Sequence, residues 1–222
     1  MFESVVPRYD FLNHLLSLRR DIAWRRSTAR ALREVLARPG SLAADVCCGT
    51  GDLALAFSRY SAGRVVGSDF CHPMLTAARR KAARARQGIA FFESDALRLP
   101  FRDDSLDLVA VAFGFRNLAN YRKGLEEMCR VLKPGGTLAI LEFSRVNWPV
   151  LGPLFRLYFR RILPKVGTLI SGVAGPYQYL PDSVSKFPDQ EELVGLMRAA
   201  GLSKVRYRDF FAGAAALHLG EK

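Results

Sequence analysis

The amino-acid sequence predicts an α/β fold in which helices cover both faces of a mostly parallel, seven-stranded sheet. The first observation is that short apolar segments of strand length recur along the chain. The second is that helical segments separate most of them, as parallel crossovers of a dozen or more residues require. The predicted strands are residues 42–46, 64–69, 89–92, 106–113, 136–143, 204–211 and 214–220.

The connections between these strands predict the direction in which they run. Helices are expected at residues 53–59, 73–86, 121–132 and 190–200, so most neighbouring strands are parallel. The last two strands are joined only by Ala212 and Gly213. A two-residue connection is a hairpin, which is the third observation and which makes one strand of the last pair antiparallel.

One domain spanning residues 1–222 is expected, with two additions to the α/β core. Apolar positions at helical spacing run through residues 7–37 and end at Pro39 and Gly40, which predicts a helical cap over residues 1–38. Residues 145–188 are rich in Pro, Gly and aromatic side chains and are too long for an idle loop. We interpret them as a lid over the substrate, with a helix that only packs on the sheet as the alternative.

The composition excludes some classes of protein and leaves two kinds of partner open. The formal net charge is +12 and the pI is about 10.0, so the surface attracts either nucleic acid or an anionic membrane face. The sequence contains no run of eighteen apolar residues, which argues against a membrane-spanning helix. The segment MFESVVPRYDF does not have the pattern of a secretory signal, and the expected location is cytoplasmic.

The four cysteines agree with a reducing compartment and predict no metal site. Cys47 and Cys48 are adjacent, where a disulfide framework makes little sense. Cys71 and Cys129 lack the Cys/His spacing that metal sites use. Reduced, mostly buried thiols are therefore expected.

A glycine-rich turn follows the first predicted strand and opens a helix. Gly49, Thr50 and Gly51 lie at this turn, where glycine permits unusual backbone torsions and lets a ligand approach the main chain. Amide groups at the start of the helix favour a carboxylate or a phosphate. The same residues also satisfy the G-x-G-x-x-G/A fingerprint of dinucleotide-binding proteins, so the turn alone fits NAD as well as S-adenosylmethionine (SAM).

Three further features follow along the chain, and the last two of them decide between these two ligands. Asp69 ends the second strand, where an acid binds the ribose hydroxyls of either cofactor. Asp95 and Ala96 follow the third strand, and residues 131–136, with the sequence VLKPGG, precede the fifth. This order resembles class I SAM-dependent methyltransferases, whose fold is Rossmann-like. The resemblance implies that SAM is the co-substrate and that Asp95 and Ala96 contact its adenine.

Four segments resemble a narrower family, the C-methyltransferases of ubiquinone and menaquinone biosynthesis. The similarity covers nearly the whole chain. Two departures stand out: Ala112 replaces a serine that many relatives carry, and Asp21 stands where relatives often have histidine. The matching segments are residues 9–13 with Ser17, Trp24 and Arg25, residues 113–118, residues 141–144, and residues 177–183 with the positions that follow them.

The family resemblance implies a reaction and a set of residues. The reaction is methylation of a ring carbon of demethylmenaquinol to give menaquinol, the last step of menaquinone biosynthesis; the benzoquinol of the ubiquinone pathway is the alternative. The carbon becomes nucleophilic when a neighbouring hydroxyl ionises, so we expect Arg116 to stabilise the phenolate and Asn117 to hold a water or hydroxyl. Tyr9, Tyr177 and Tyr179 are the next candidates, as hydrogen-bond partners or walls around the ring. Structural pairing of Arg116 and core packing of the tyrosines remain open.

The polyprenyl tail of such a quinol implies a partner surface. Residues 152–163 combine an apolar segment with arginines near one end, which suits the surface of an anionic membrane, so peripheral attachment is expected. Nucleic acid is not the expected partner, because no base-flipping element is visible. A nucleic-acid methyltransferase and a SAM-binding protein without catalysis are the competing interpretations. Association into a homodimer stays open.

Overall fold

A computed structural model describes residues 10, 14, 17, 19–144, 146 and 176–222; for residues 176–180 it describes only the backbone. Of the predicted cap over residues 1–38, the structure therefore describes residues 19–38 and the isolated positions 10, 14 and 17. Most of the predicted lid over residues 145–188 lies outside the described residues. Neither the lid interpretation nor its packing alternative is tested by them.

The described residues form a seven-stranded sheet in the order β3-β2-β1-β4-β5-β7-β6. All neighbouring strands from β3 to β5 are parallel, whereas β7 is antiparallel to both β5 and β6. The predicted α/β class and antiparallel terminal hairpin are confirmed. The strands are β1 (Leu42–Val46), β2 (Arg64–Asp69), β3 (Ala90–Glu93), β4 (Leu106–Ala112), β5 (Leu132–Phe143), β6 (Ser203–Phe210) and β7 (Ala215–Glu221).

Three of the helices begin at residues that favour the start of a helix. Pro73 occupies the first turn of α4, the Asn120 side chain accepts a hydrogen bond from Lys123 at the start of α5, and Asp189 forms a capping box with Glu192 at the start of α7. The helices are α1 (Arg20–Ala31), α2 (Arg33–Leu36), α3 (Asp52–Ser58), α4 (His72–Arg84), α5 (Tyr121–Val131), α6 (Pro176–Lys186) and α7 (Gln190–Ala199), with a 3-10 turn at Phe115–Asn117.

The hairpin between β6 and β7 is longer than its sequence predicts. Its connection comprises residues 211–214 rather than Ala212 and Gly213 alone. Phe211, Ala212 and Gly213 all have positive φ angles of 46°, 56° and 89°. A non-glycine residue rarely adopts this backbone conformation, so an apolar pattern does not indicate it. Phe211 and Ala214, which that pattern assigns to the two strands, therefore belong to the turn.

Two apolar clusters fill the two faces of the sheet. One of them fixes α1 against the sheet through Trp24, whose ring lies 6.1 Å from that of Phe113, 6.5 Å from Phe143 and 6.3 Å from Phe210. These three rings belong to the ends of β4, β5 and β6. The contact therefore holds α1 over the carboxyl edge of the sheet, and the side chains that α1 carries beside Trp24 reach the same edge.

Candidate active site

A cavity of about 400 Å³ opens at the carboxyl ends of β1, β2 and β4. Strands β1 and β4 are neighbours, and the chain leaves them toward opposite edges of the sheet, so the cavity lies at the topological switch point where α/β folds bind ligands. Of the residues predicted to bind a cofactor or to act in catalysis, these line it: Gly49, Thr50, Asp69, Asp95, Ala96 and Asn117.

The glycine turn forms one wall and has the backbone conformation that its sequence predicts. Gly49 and Gly51 have φ angles of +53° and +81°. A Cβ added at Gly49 would meet nothing within 4 Å, whereas one at Gly51 would lie 3.0 Å from the ring of Phe91. Gly49 therefore leaves open space for a ligand beside the main chain, and Gly51 allows the helix that follows to pack closely on its neighbours.

Asp69 and Asp95 present carboxylates to the cavity from the ends of two strands. Asp69 accepts hydrogen bonds from the backbone N–H groups of Gly49 and Cys71, at 2.8 and 2.9 Å. Asp95 accepts one from the N–H of Leu97 at 2.8 Å. Burial raises the pKa of Asp69 above its ordinary value, against the effect of the two backbone hydrogen bonds. The backbone itself holds both carboxylates in place.

Asp45 lies behind the glycine turn and is nearly inaccessible. Its Oδ2 atom accepts the backbone N–H of Ala54 at 2.9 Å, and its buried Oδ1 atom has no hydrogen-bond partner among the described residues. Burial raises the pKa of this carboxyl to about 8. Asp45 therefore ties β1 to α3 and is largely protonated at neutral pH.

A cluster around Lys81 connects the amino-terminal segment to the glycine turn. The Thr50 hydroxyl donates to Asp10 at 2.6 Å, and Lys81 Nζ donates to Thr50 at 2.9 Å. Lys81 also forms ion pairs with Asp10 at 2.8 Å and with Asp52. Asp10 follows the predicted catalytic Tyr9 directly in sequence, and this cluster brings it to the cofactor side of the cavity.

The opposite wall begins where β4 ends. Phe113 adopts a left-handed backbone conformation with φ of 61°, and its ring packs on that of Phe143 at 4.7 Å. Gly114 follows, and a Cβ there would lie 2.5 Å from Cβ of Cys47. This close approach requires glycine, and it places the 3-10 turn that carries Asn117 directly against the glycine turn.

Arg116 forms a buried ion pair with Glu142. Its guanidinium donates to Glu142 Oε1 at 2.9 Å and to the carbonyl of Phe113, and its backbone N–H donates to Glu142 Oε2. The two side chains are only 8% and 1% exposed, and Arg116 is not among the residues that line the cavity. The structure therefore shows a buried ion pair that holds the 3-10 turn, and contact of Arg116 with a substrate stays a prediction.

The cavity wall also includes residues that are absent from the predicted set. Asp21 and Arg25 on α1 line the cavity and form an i,i+4 ion pair of 2.6 Å. The Asp21 carboxylate also accepts the Ser17 hydroxyl at 2.7 Å and lies 2.8 Å from Nδ1 of His14. Arg25 is one of the positions that carry the family resemblance and Asp21 is one of its departures, but their i,i+4 spacing on an arginine-rich helix looks like an ordinary surface contact.

Three predicted residues are not placed. Tyr9 lies outside the described residues, and Tyr177 and Tyr179 belong to α6 where only the backbone is described. Their roles stay predictions. Among the residues that the structure does describe, no group of three or more His, Cys, Asp or Glu side chains is arranged to hold a metal ion. In the same part of the chain, no helix combines the length and apolar character that crossing a membrane requires.

The wall formed by the glycine turn, Asp69, Ser94 and Asp95 is called the cofactor wall, and its residues fit SAM. The open space beside Gly49 admits a ligand to the main chain, and Asp69 and Asp95 offer acceptors for hydroxyl and amino groups. The buried hydroxyl oxygen of Ser94 lines the cavity and has no partner among the described residues. Beside Asp69, the Phe70 side chain is 78% exposed and offers a flat apolar surface.

The fold and this cavity define the class as that of the Rossmann-like class I SAM-dependent methyltransferases. A solved SAM-dependent methyltransferase from Aquifex aeolicus matches this fold with a TM-score of 0.62 over 86% of this chain and 87% of that chain, at 21% identity. The chain belongs to the ubiE/COQ5 methyltransferase family, whose model matches residues 1–222. The family resemblance read from the sequence is thereby confirmed.

Two curated relatives in this family share the whole of the chain. A demethylmenaquinone methyltransferase of Deinococcus radiodurans is 49% identical over 100% of this chain and 91% of its own length. A demethylmenaquinone methyltransferase of Thermus thermophilus is 48% identical over 100% of both chains. The similarity therefore includes the α1 and α6 regions, which lie outside the cofactor wall.

Proposed function

We propose that this methyltransferase converts demethylmenaquinol to menaquinol by methylating a ring carbon. The observation that carries the proposal is full-length identity of 48–49% to two proteins named demethylmenaquinone methyltransferase. The cavity supports it, because a wall suited to SAM faces a second wall that offers an aromatic ring and a guanidinium. The benzoquinol of the ubiquinone pathway is the alternative substrate.

The cofactor wall is assigned the following roles. The turn of Gly49, Thr50 and Gly51 receives the amino-acid part of SAM at exposed backbone groups. Asp69 binds the ribose hydroxyls, and the Asp95–Ala96 segment contacts the adenine. SAM supplies the electrophilic methyl group when it is bound. The residues of this wall bind and orient that group and take no proton in the reaction.

The opposite wall, which contains Asp21, Arg25, Phe113 and Asn117, is called the substrate wall. It must favour ionisation of a quinol hydroxyl, since the resulting phenolate makes the neighbouring ring carbon nucleophilic. Asn117 lines the cavity and is assigned to hold a hydroxyl or a water. Arg116 positions this turn through Glu142, and Tyr9, Tyr177 and Tyr179 are assigned to surround the ring. Exclusion of water by these walls strengthens each of the polar contacts.

The prenyl tail of the substrate supports a peripheral position on the cytoplasmic membrane face. The apolar and basic composition of residues 152–163 and the net charge of +12 favour an anionic lipid surface. Co-sedimentation with anionic liposomes at low salt tests this attachment, and its absence would remove the membrane from the proposal. Sedimentation velocity without lipid tests the homodimer, for which the expected mass is twice 24.7 kDa.

The reaction is tested with purified protein, SAM and chemically reduced demethylmenaquinone. Mass spectrometry is expected to show the gain of one methylene unit, and omission of the reductant is expected to abolish it. A benzoquinol and a tRNA serve as parallel substrates. Faster turnover of the benzoquinol would move the enzyme to the ubiquinone pathway, and methylation of the tRNA alone would overturn the proposal.

A further inference from the structure

We propose that Arg25 is a catalytic residue of this enzyme, whose guanidinium binds and stabilises the phenolate oxygen of the substrate, and that Asp21 is the residue that positions it. The inference rests on the proposed function, because it concerns how the same cavity ionises a quinol. The family resemblance implies that Arg116 stabilises the phenolate. The geometry points to Arg25 instead.

The guanidinium of Arg25 reaches the cavity, whereas that of Arg116 does not. Arg25 lines the cavity and its side chain is 14% exposed, whereas Arg116 does not line it and lies in a buried pair with Glu142. Among the described residues, the Arg25 guanidinium is hydrogen bonded to Asp21 alone, through NH1. An arginine carries five N–H donors, so donors remain for a ligand in the cavity.

Two contacts hold the long Arg25 side chain in one orientation. Asp21 fixes one edge of the guanidinium at 2.6 Å, and Cζ lies 5.0 Å from the centre of the Phe113 ring, where a cation–π contact holds its plane. Burial of Trp24, the preceding residue, anchors the helix beneath both side chains. A donor that is already oriented stabilises a developing anion without reorganisation.

Asp21, the carboxylate that holds Arg25, is itself charged. Burial alone would raise the pKa of Asp21. The Arg25 charge and the hydrogen bonds from Ser17 and His14 outweigh burial, so the pKa lies below its ordinary value. Asp21 therefore stays ionised at neutral pH and acts as an anchor for Arg25 rather than as a proton acceptor.

The chemistry that this arrangement performs is ionisation of the quinol. The phenolic O–H bond of the quinol breaks, its electron pair remains on oxygen beside the Arg25 guanidinium, and the proton passes to a solvent water. An arginine is suited to this role because it stays charged at every relevant pH and its planar donors match an oxyanion. The other charged groups that face this space are Asp10, Asp52, Asp69 and Asp95 on the cofactor side of the cavity, with His14 behind Asp21.

The experiment compares Arg25→Gln and Arg25→Lys with Arg26→Gln, a control that removes an exposed positive charge from the same helix. The first readout needs no turnover. 4-Methoxy-1-naphthol is bound to protein that holds S-adenosylhomocysteine, and its ionisation is followed by absorbance against pH. The wild type and Arg26→Gln are expected to lower the pKa of the bound naphthol, and Arg25→Gln is expected to lose this shift.

The second readout is turnover of demethylmenaquinol. Arg25→Gln is expected to reduce kcat by about 10²- to 10³-fold, the typical cost of one oxyanion donor. The affinity for SAM is expected to stay within about threefold, since the residues assigned to SAM lie on the cofactor wall and Arg25 belongs to the substrate wall. Asp21→Asn is expected to give a smaller loss of kcat and a partial loss of the naphthol shift, as its role is to position Arg25.

Each remaining outcome decides the matter. Equal naphthol shifts and equal kcat in Arg25→Gln and Arg26→Gln overturn the proposal, and so does a loss of kcat with an unchanged naphthol shift, which indicates a structural role. If Arg25→Gln does not fold, Asp21→Asn replaces it, and an unchanged naphthol shift in that variant overturns the proposal; Arg25→Lys, which keeps the charge, is expected to retain part of the shift. A wild type that shifts the naphthol but leaves demethylmenaquinol unmethylated refutes the proposed function while the phenolate site stands.

Discussion

The two walls of the cavity are built on different principles. On the cofactor wall, backbone groups hold the functional side chains: the Asp69 carboxylate is fixed by two N–H groups and the Asp95 carboxylate by one. On the substrate wall, charged side chains hold one another, as Asp21 holds Arg25 and Glu142 holds Arg116. The arrangement of the cofactor wall therefore follows from the fold itself, while that of the substrate wall depends on particular pairs of residues.

The largest effect is expected where a buried pair on the substrate wall is broken. Glu142→Gln leaves the Arg116 charge buried without its counterion, so the free energy of unfolding is expected to fall by about 3–5 kcal/mol. Urea denaturation measures the loss. Glu126→Gln, which removes an exposed carboxylate from α5, is the control and is expected to change stability by less than about 0.5 kcal/mol. Equal stability of the two variants would show that the pair does not hold this wall.

An intermediate effect is expected on the cofactor wall. Asp69→Asn replaces a carboxylate oxygen that accepts a backbone N–H with an amide group that cannot, and it removes the charge offered to the ribose hydroxyls. The dissociation constant for SAM is expected to rise about 100-fold, which corresponds to about 2.7 kcal/mol. Isothermal titration calorimetry measures it, with Glu93→Gln at the end of β3 as the control. An unchanged affinity would mean that the backbone alone binds the cofactor on this wall.

A dependence of stability on pH, spread over several pH units, is also expected from the cofactor wall. Asp45 has a pKa of about 8 in the folded chain and an ordinary pKa of 3.8 when unfolded, so the folded state binds the extra proton between these values. Its contribution to stability is therefore complete below pH 4 and is lost as the pH rises to about 8, with a slope of up to about 1.4 kcal/mol per pH unit.

Asp45→Asn cannot titrate and isolates this effect. The difference in unfolding free energy between Asp45→Asn and the wild type is expected to grow in favour of the variant as the pH rises from 5 to 8, and to level off above that range. Urea denaturation at four pH values measures it. A constant difference would show that Asp45 is ionised in the folded chain and that the wall tolerates its charge.

The cofactor wall could be predicted from the sequence because its determinants are local. Gly49 and Gly51 follow a buried strand directly, and Asp69 and Asp95 follow the next two strands. Parallel strands end at the same edge of a sheet, so residues just after several of them must meet there. Their positions do not depend on distant packing: Gly49, Asp69 and Asp95 line one cavity, and Gly51 packs against Phe91 beside it.

The substrate wall could not be predicted in the same way because its partners are distant in sequence. Glu142 reaches Arg116 through the register of β4 and β5, which pairs Ala112 with Leu141, and no local pattern encodes that register. Arg25 reaches the cavity only because Trp24 packs against rings from three strands. The family resemblance directs attention to Arg116, whereas Arg25, on a basic helix, looks solvent-exposed from the sequence alone.

The Lys81 cluster gives the two walls a thermodynamic connection. Thr50 belongs to the glycine turn, Asp10 belongs to the segment that leads into α1, and both are held by the same ammonium group. A ligand that stabilises the bound orientation of Thr50 therefore strengthens the attachment of Asp10. By reciprocity, attachment of Asp10 raises the affinity for that ligand by the same factor. Occupancy of the cofactor wall and the contact of Asp10 with Thr50 and Lys81 are thus thermodynamically coupled.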